Sequence, residues 1–349
     1  MAQDSAVDTS LPHTPRCRDI LCLAPNAAYQ NTMLFDSLAL GNVNRALKQT
    51  SSLGGKGQNF AFATKQLYGY GTRVTLLQIL GGSTGSQIEA LETAEKLEFI
   101  TVSTSQATRT CTTCLDAATG QMTELVGLSE PIDPATATQY VQTAIMLLNS
   151  TAPPKALAIC GSLPFGLDPT HIAEIVSSSL AEKTLVFIDS AKHIIPTLQT
   201  GNVNIFKVNS DEILDIVKTI DQNFDTDTED KVVRAASVVG NMFKIDVVAV
   251  TDGPATAYLV ERQKGKQWAF SIPNLLADRK YYLADSPVED KNEFGKLVLN
   301  PLGAGDTCSA VMLNSILDGM SATDAFALGL SAASASCLVP MPNCVFDRA

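Results

Sequence analysis

Long apolar runs are missing from this chain, and so is an apolar segment at its N-terminus. No run among the 349 residues is long enough to span a bilayer as a helix, which disfavours a membrane protein. Residues 1–17 include Asp4, Asp8, Pro12 and Pro15 and have no apolar centre. They resemble neither a signal peptide nor a basic transit peptide, so we expect a disordered tail and a cytoplasmic protein.

Positive charge is scarce as well. Lys and Arg number 25 against 36 Asp and Glu, which gives a formal net charge of −11. This balance disfavours nucleic acid and anionic membranes as partners. An anionic small substrate would need a local cluster of Lys and Arg.

Metal-binding, redox and common nucleotide-binding patterns are also lacking. The eight cysteines are scattered, and the C-x-x-C pair of Cys111 and Cys114 has no second pair and no nearby His. It is therefore a poor zinc site, and its thiols should point to opposite faces of a strand. No G-x-x-x-x-G-K-[ST] occurs, and no G-x-G-x-x-G follows the first predicted strand. The sequence thus predicts neither a Walker A loop nor a nicotinamide dinucleotide site.

What the chain does contain is an alternation of apolar, β-branched runs with helical patterns. It predicts an α/β fold over residues 18–349, with a parallel sheet covered by helices on both faces. Residues 30–50 and 99–127 break the alternation with β-type patterns, and we expect them to form a small sheet that acts as a lid. The charged stretch at residues 273–297 predicts an inserted surface loop.

A glycine-rich turn near the C-terminus carries the strongest chemical signal. The sequence Gly303-Ala304-Gly305-Asp306 runs directly into an apolar helix pattern. Backbone N–H groups at the start of a helix bind phosphate, and Asp306 would take a proton from a hydroxyl that attacks this phosphate. The alternative is a strand-to-helix turn in which Asp306 caps the helix.

A second glycine cluster, Gly54-Gly55-Lys56-Gly57-Gln58-Asn59, also runs into a predicted helix. Lys56 and Asn59 would add a cation and an amide to a helix N-terminus. The alternative is a hinge turn. Two such turns, one with an Asp and one with a Lys, fit phosphoryl transfer between two bound molecules.

In order and separation, these two clusters resemble the signature motifs of the ribokinase-like (PfkB) carbohydrate kinases. Within that family the chain is most similar to the hexose-phosphate branch, which includes 1-phosphofructokinases and tagatose-6-phosphate kinases. The features of the branch are Gly41-Asn42-Val43-Asn44-Arg45, Thr108-Arg109-Thr110-Cys111, Gly161-Ser162-Leu163-Pro164-x-Gly166 and Lys207-x-Asn209-x-x-Glu212.

The resemblance implies an ATP-dependent kinase that uses Mg²⁺ and assigns a role to each residue. Asp306 would be the catalytic base, and the N–H groups of Gly303, Ala304 and Gly305 would hold the transferring phosphoryl oxygens. The sugar would contact Gly54, Gly55 and Asn59, and its phosphate would contact Lys56 and Arg109. The nucleotide would contact Lys207, Asn209, Thr251 and Gly253, and Glu212 with Asn209 would organise Mg²⁺ through water.

Three features depart from the family pattern. Gln30 stands where the branch has an Asp that grips sugar hydroxyls, and Thr256 replaces a glycine of the nucleotide loop. The loop that we expect at residues 273–297 is longer than the one we expect for this branch. Gln carries no charge, so sugar affinity or identity would differ.

The function expected from this resemblance is phosphorylation of a ketohexose phosphate to a bisphosphate. Two alternatives remain open: a kinase of an unphosphorylated sugar or nucleoside, and a non-catalytic homologue that binds sugar or nucleotide. A homodimer through the lid is plausible if the small sheet leaves an exposed edge.

Overall fold

The computed structural model describes residues 17–69, 73–178, 184–272, 300–339 and 344–346. The predicted disordered tail, apart from Cys17, and the predicted loop at residues 273–297 lie outside these ranges.

Most of the described strands form one mixed sheet of nine strands. In chain order they are β1 (Ile20–Ala24), β4 (Val74–Leu80), β5 (Glu98–Ser103), β8 (Ala156–Cys160), β9 (Leu185–Asp189), β10 (Ile205–Asn209), β11 (Val247–Thr251), β12 (Ala257–Glu261) and β13 (Lys266–Phe270). Across the sheet the order is β13-β12-β11-β10-β9-β8-β1-β4-β5. The strands from β11 to β5 are parallel, whereas β12 and β13 add an antiparallel edge that the alternation did not predict.

Helices cover both faces of this sheet, as the sequence predicts. One face carries α1 (Lys56–Tyr68), α2 (Gly82–Ala94), α8 (Ala304–Leu317) and α9 (Ala322–Cys337). The other carries α3 (Pro134–Leu148), α4 (Pro169–Ser178), α5 (Ile195–Leu198), α6 (Ser210–Ile220) and α7 (Lys231–Met242). Each face of the sheet packs against its helices in a separate hydrophobic core, and alternate residues of β1 contribute to each. Leu21 and Leu23 lie in one core, and Ile20 and Cys22 lie in the other. Burial on both faces explains why its sequence is apolar throughout.

A separate sheet of four strands stands beside the large one in the described chain. It consists of β2 (Ala28–Phe35), β3 (Lys48–Gly54), β6 (Thr110–Asp116) and β7 (Met122–Val126), in the order β3-β2-β6-β7. The predicted bounds were partly wrong. Strand β5, at the start of the predicted segment 99–127, pairs with β4 in the large sheet, because α2 carries the chain back to run parallel to β4. Residues 36–47 form no strand.

None of the described helices combines the length and apolar character needed to cross a bilayer.

A buried chain of polar side chains connects α1, β4 and α2. Gln58 donates to Gln78 Oε1 at 2.8 Å, and Gln78 donates to Glu92 Oε2 at 2.7 Å. Glu92 is fully buried, and its Oε1 has no hydrogen-bond partner among the described residues. Burial raises the pKa of Glu92 to about 8, although the Gln78 hydrogen bond acts in the opposite direction.

This burial predicts a pH-dependent penalty that Glu92→Gln should remove. Because the folded pKa of about 8 lies above the usual glutamate value of 4.5, the folded state holds this proton more tightly than the unfolded state. The wild-type free energy of unfolding should therefore lose up to about 1.4 kcal/mol per pH unit as the pH rises between these values. Urea unfolding of the wild type and of Glu92→Gln gives the free energy of unfolding of each protein. The difference between these two free energies should be small at pH 5 and large at pH 8. A difference that is the same at both pH values would contradict the raised pKa of Glu92.

Candidate active site

A cavity of about 640 Å³ lies at the carboxyl ends of the central strands, bounded on one side by the small sheet. Parallel strands present their carboxyl ends at the same edge, so loops distant in sequence meet there. All of the site residues proposed from the sequence line this cavity except Ala304 and Gly253. Those that line it are Gln30, Gly54, Gly55, Lys56, Asn59, Arg109, Lys207, Asn209, Glu212, Thr251, Gly303, Gly305 and Asp306.

The glycine turn that the sequence predicts to be catalytic begins α8. Gly303 is left-handed, with φ of 76°, and occupies the N-cap without a side-chain hydrogen bond to the helix. Asp306 lies in the first turn of the helix and is buried. Its Oδ2 accepts a hydrogen bond of 2.7 Å from Asn59 Nδ2. The alternative in which Asp306 caps the helix is therefore wrong, because Gly303 is the cap and the carboxylate points to another helix.

The structure also corrects the prediction for Ala304. Its N–H group donates to the Pro301 carbonyl at 3.1 Å and closes the turn. Gly303 and Gly305 remain at the cavity wall. A Cβ at Gly305 would lie 3.1 Å from Lys207 Nζ, so glycine here keeps open the space beside the lysine.

The diglycine turn begins α1 in the same way. Gly55 has φ of 101°, and a Cβ there would lie 2.6 Å from Gln58 Oε1 and 3.1 Å from Ala27 Cα. Both its conformation and its surroundings therefore require glycine. The turn places Asn59 in the first turn of α1, where its side chain meets Asp306. The N-termini of α1 and α8 thus converge on one hydrogen bond.

A buried carboxylate that the sequence analysis missed organises the cations of the site. Asp189, the last residue of β9, is 1% exposed. Its Oδ1 accepts from Lys56 Nζ at 2.8 Å, and its Oδ2 accepts from Lys207 Nζ at 3.3 Å and from Ser309 Oγ at 2.5 Å. Lys207 Nζ also donates to the Gly305 carbonyl at 3.1 Å, which ties the lysine to the catalytic turn.

This arrangement separates the pKa values of the two buried aspartates. Burial alone would raise the pKa of Asp189, but Lys207 and Lys56 hold it well below its usual range. Burial raises the pKa of Asp306 to about 7, and the negative charge of Asp189 raises it as well. The charge of Lys56 and the hydrogen bond from Asn59 lower it, but less strongly. Burial disfavours the charged forms of Lys56 and Lys207. The negative charge of Asp189 outweighs this effect and raises the pKa of both lysines. Asp306 is thus a carboxyl group that titrates near neutral pH.

The predicted nucleotide-side residues lie at the ends of β10 and β11, where Asn209 pairs with Thr251 in register. Asn209 Oδ1 accepts from the Glu212 N–H at 2.8 Å, and Glu212 Oε2 accepts from the Asn209 N–H at 2.9 Å. These bonds form a capping box that starts α6. Glu212 Oε1 lies 3.9 Å from Lys56 Nζ. Gly253, with φ of 53°, lies outside the cavity wall.

The donors fit Mg²⁺ held mainly by water and phosphate. No group of three or more His, Cys, Asp or Glu side chains that could hold a metal ion occurs in the described chain. Glu212 offers one carboxylate oxygen that is not used by the capping box. Since Mg²⁺ keeps several waters and takes one or two protein carboxylates, this single oxygen is compatible with it.

The predicted sugar-side residues come from β2, from the turn between β3 and α1 and the first turn of α1, and from the residue directly before β6. Arg109 donates from Nη2 to the Asn26 carbonyl at 3.1 Å and from Nε to the Ala27 carbonyl at 3.4 Å. These bonds fix the guanidinium at the cavity wall without neutralising it. Gln30 is buried, and its Nε2 donates to Thr113 Oγ1 at 2.9 Å and to the Asn31 carbonyl at 3.1 Å.

Several cavity residues were not proposed as site residues. They are Asn26, Ala28, Cys111, Met122, Glu124, Val126, Gly161, Ser162, Ser190, Ala191, Lys192, Pro301 and Leu302. Asp189 and the three residues that follow it had a usable signal, since they come directly after a predicted strand of the parallel sheet. The β7 residues had none, because an exposed strand of this kind carries no motif.

The comparison with protein families matches residues 26–278 to the family described as pfkB family carbohydrate kinase. A tagatose-6-phosphate kinase from Staphylococcus epidermidis is 24% identical over 300 residues, which cover 85% of each chain.

Solved structures show the same fold. Phosphofructokinase-2 from Escherichia coli, in complex with substrates and products, superposes with a TM-score of 0.74 at 23% identity, covering 91% of this chain and 93% of that one. A possible 1-phosphofructokinase from Thermotoga maritima gives a TM-score of 0.71 at 19% identity, covering 91% of each chain. The large sheet, the flanking helices, the small sheet and the family match agree, and the chain belongs to the pfkB family of carbohydrate kinases.

Proposed function

We propose that this chain is an ATP-dependent kinase that phosphorylates a hydroxyl group of a sugar phosphate and yields a bisphosphate and ADP. Ketohexose phosphates such as fructose 1-phosphate, fructose 6-phosphate and tagatose 6-phosphate are the proposed acceptors. The observation that carries the proposal is Asp306, a buried carboxylate at the junction of two glycine turns, with a pKa of about 7 and a wall position in a 640 Å³ cavity. A carboxylate beside a phosphate site suits a base and does not suit a simple binding site.

The charges of the cavity support two anionic substrates. Four cations line it, namely Lys56, Arg109, Lys192 and Lys207, although the chain carries a net charge of −11. Lys56 and Lys207 are paired with Asp189. Within the described chain, Arg109 and Lys192 have no carboxylate partner, so they offer uncompensated positive charge to phosphate groups.

In the proposed reaction, Asp306 accepts the proton of the acceptor hydroxyl as its oxygen attacks the γ-phosphorus of ATP. The bond between this phosphorus and the bridging oxygen of ADP breaks, and Asp306 later releases the proton to solvent. Asn59 holds the carboxylate in place, while the start of α8 and Lys207 stabilise charge on the transferring group. Mg²⁺, when bound, would neutralise charge on the ATP phosphates, with Glu212 holding one of its waters and Asn209 fixing Glu212. Thr251 and Gly253 are proposed to contact the nucleotide.

Arg109 is the better candidate for the phosphate already on the sugar. Lys56 was expected to share this role, but it lies 2.8 Å from Asp189 and 3.9 Å from Glu212. The Lys56 ammonium group is thus paired with carboxylates beside Asp306 and is less available to the phosphate of the sugar. The Arg109 guanidinium is anchored on two carbonyls and keeps donors for a bidentate phosphate contact. Gly54 and Gly55 would let the sugar approach the backbone closely.

The small sheet is proposed to close over the sugar and exclude water, which competes as a phosphoryl acceptor. A homodimer through this sheet is also proposed, since Leu125 and Val126 on its edge strand β7 are more than half exposed. A cytoplasmic location is proposed because the eight cysteines are free thiols.

Replacement of Asp306 tests the base directly. Asp306→Asn keeps the shape and the Asn59 neighbour but removes the proton acceptor, so kcat should fall by about 10²–10⁴-fold. ADP release with a panel of ketohexose phosphates and with unphosphorylated sugars measures this and identifies the acceptor class. Asp215→Asn, an exposed change on α6, is the matched control. Near wild-type turnover of Asp306→Asn would refute the role.

Replacement of Arg109 tests the sugar-phosphate anchor. Arg109→Ala should raise KM for the sugar phosphate by about tenfold to a hundredfold, the worth of a charged hydrogen bond, and leave KM for ATP nearly unchanged. Initial rates at varied concentrations of each substrate separate the two constants. Equal increases in both would show that Arg109 does not select the sugar phosphate.

The pH profile tests the electrostatic arrangement. Because the reaction needs ionised Asp306 and its pKa is raised to about 7, kcat/KM should rise with pH through this region and level off above it. The Asp189 charge raises this pKa, so Asp189→Asn should move the acidic limb to lower pH. Measurement of kcat/KM between pH 5 and pH 9 for the wild type and for Asp189→Asn tests this shift. A limb that stays in place in Asp189→Asn would show that another group controls it.

A further inference from the structure

One face of the small sheet forms a wall of the cavity. Side chains alternate along a strand, and the pairings place residues of one face opposite each other. Gln30 pairs with Cys111, Cys111 with Val126, and Thr113 with Glu124. Every small-sheet residue that lines the cavity belongs to this face. These residues are Ala28, Gln30, Gly54, Cys111, Met122, Glu124 and Val126.

Gln30 and Glu124 are the polar groups on this wall, and Thr113 lies between them. The Gln30 amide nitrogen already donates to Thr113 Oγ1 and to the Asn31 carbonyl. This fixes the amide so that its remaining capacity is that of a neutral acceptor, Oε1. Thr113 is directly opposite Glu124 on β7. The wall therefore presents hydrogen-bond acceptors flanked by apolar surface.

Glu124 differs from the other carboxylates of the cavity. Asp306 accepts from Asn59, and Glu212 is held in the capping box beside Lys56. The Glu124 side chain is exposed to the cavity, and within the described chain it makes no hydrogen bond or ion pair. An unpaired carboxylate opposes the binding of anions. At the wall of this cavity, Glu124 is available to accept hydrogen bonds from the uncharged part of a ligand.

We propose that Glu124 binds hydroxyl groups of the sugar and so sets its identity and orientation. This inference rests on the proposed function. A carboxylate accepts hydrogen bonds from two neighbouring hydroxyls, and it repels phosphate. Glu124 thus directs the hydroxyl-bearing carbons toward β7 and the phosphate toward Arg109. It supplies from β7 the charged acceptor that Gln30 cannot supply from β2.

The test compares Glu124→Ala and Glu124→Gln with Glu174→Gln, an exposed charge change on α4 outside the cavity. Fructose 1-phosphate, fructose 6-phosphate and tagatose 6-phosphate are the probes. Initial rates give KM for each sugar phosphate and for ATP, and calorimetry gives Kd for each sugar phosphate without ATP. Glu124→Ala should raise the KM and Kd of the best sugar phosphate by about tenfold to a hundredfold and change KM for ATP less than about twofold. Glu124→Gln should show a smaller rise, because its amide oxygen still accepts.

Three outcomes would overturn the proposal. They are unchanged sugar-phosphate constants, equal changes for both substrates, and a change in association state by light scattering without a change in sugar-phosphate Kd. The last would assign Glu124 to a subunit contact. Wild-type protein that binds a sugar phosphate without turning it over would refute the kinase activity alone, and the Kd comparison would still decide Glu124. Wild-type protein that neither binds nor converts any probe would overturn both.

Discussion

The ion pairs of Asp189 are the constraint on which the site depends. This buried carboxylate takes both Lys56 and Lys207, together with the Ser309 hydroxyl. Two unit charges about 4 Å apart interact by roughly 4 kcal/mol at an effective dielectric constant of 20, so the lysines are held firmly. Asp306 then has a hydrogen bond from Asn59 in place of an ion pair. The pKa of Asp189 is therefore held below its usual range, whereas burial raises the pKa of Asp306 to about 7.

The same constraint explains why glycines surround the cluster. Lys207 also donates to the Gly305 carbonyl, and a Cβ on Gly305 would approach the ammonium to 3.1 Å. On the opposite side, the left-handed turn at Gly55 starts α1 so that Asn59 reaches Asp306. Each glycine therefore permits a close approach between a helix N-terminus and the charged centre. Side chains there would separate the two helix ends that meet at the hydrogen bond between Asn59 and Asp306.

The sequence was sufficient for the parts of this design that rest on local rules. Glycine turns before apolar helices predicted the starts of α1 and α8, and the apolar alternation predicted the parallel sheet and its two helical layers. Asp189 was missed because its importance arises from partners at positions 56, 207 and 309, which only the fold brings together. Strand β5 was misplaced because its sequence does not state which sheet it joins. The sequence predicted that the N–H group of Ala304 faces the phosphate, but within the turn this group donates to the Pro301 carbonyl. The spacing of residues does not encode such a hydrogen bond.

The proposed base and the side chains proposed to select the sugar belong to different parts of the fold. The proposed proton acceptor Asp306, together with Lys56 and Lys207, belongs to the large sheet and to two helix N-termini. Burial and the ion pairs with Asp189 leave little room for change there. The wall of the small sheet is supported by fewer buried residues, with Leu115 and Ala117 forming its own small core. Its hydrogen-bond acceptors are side chains on strands of the small sheet, so they can be exchanged without moving Asp306 and its partners. Under the proposed function, the neutral amide of Gln30 and the carboxylate of Glu124 would therefore select the sugar, while the chemistry at Asp306 would not depend on them.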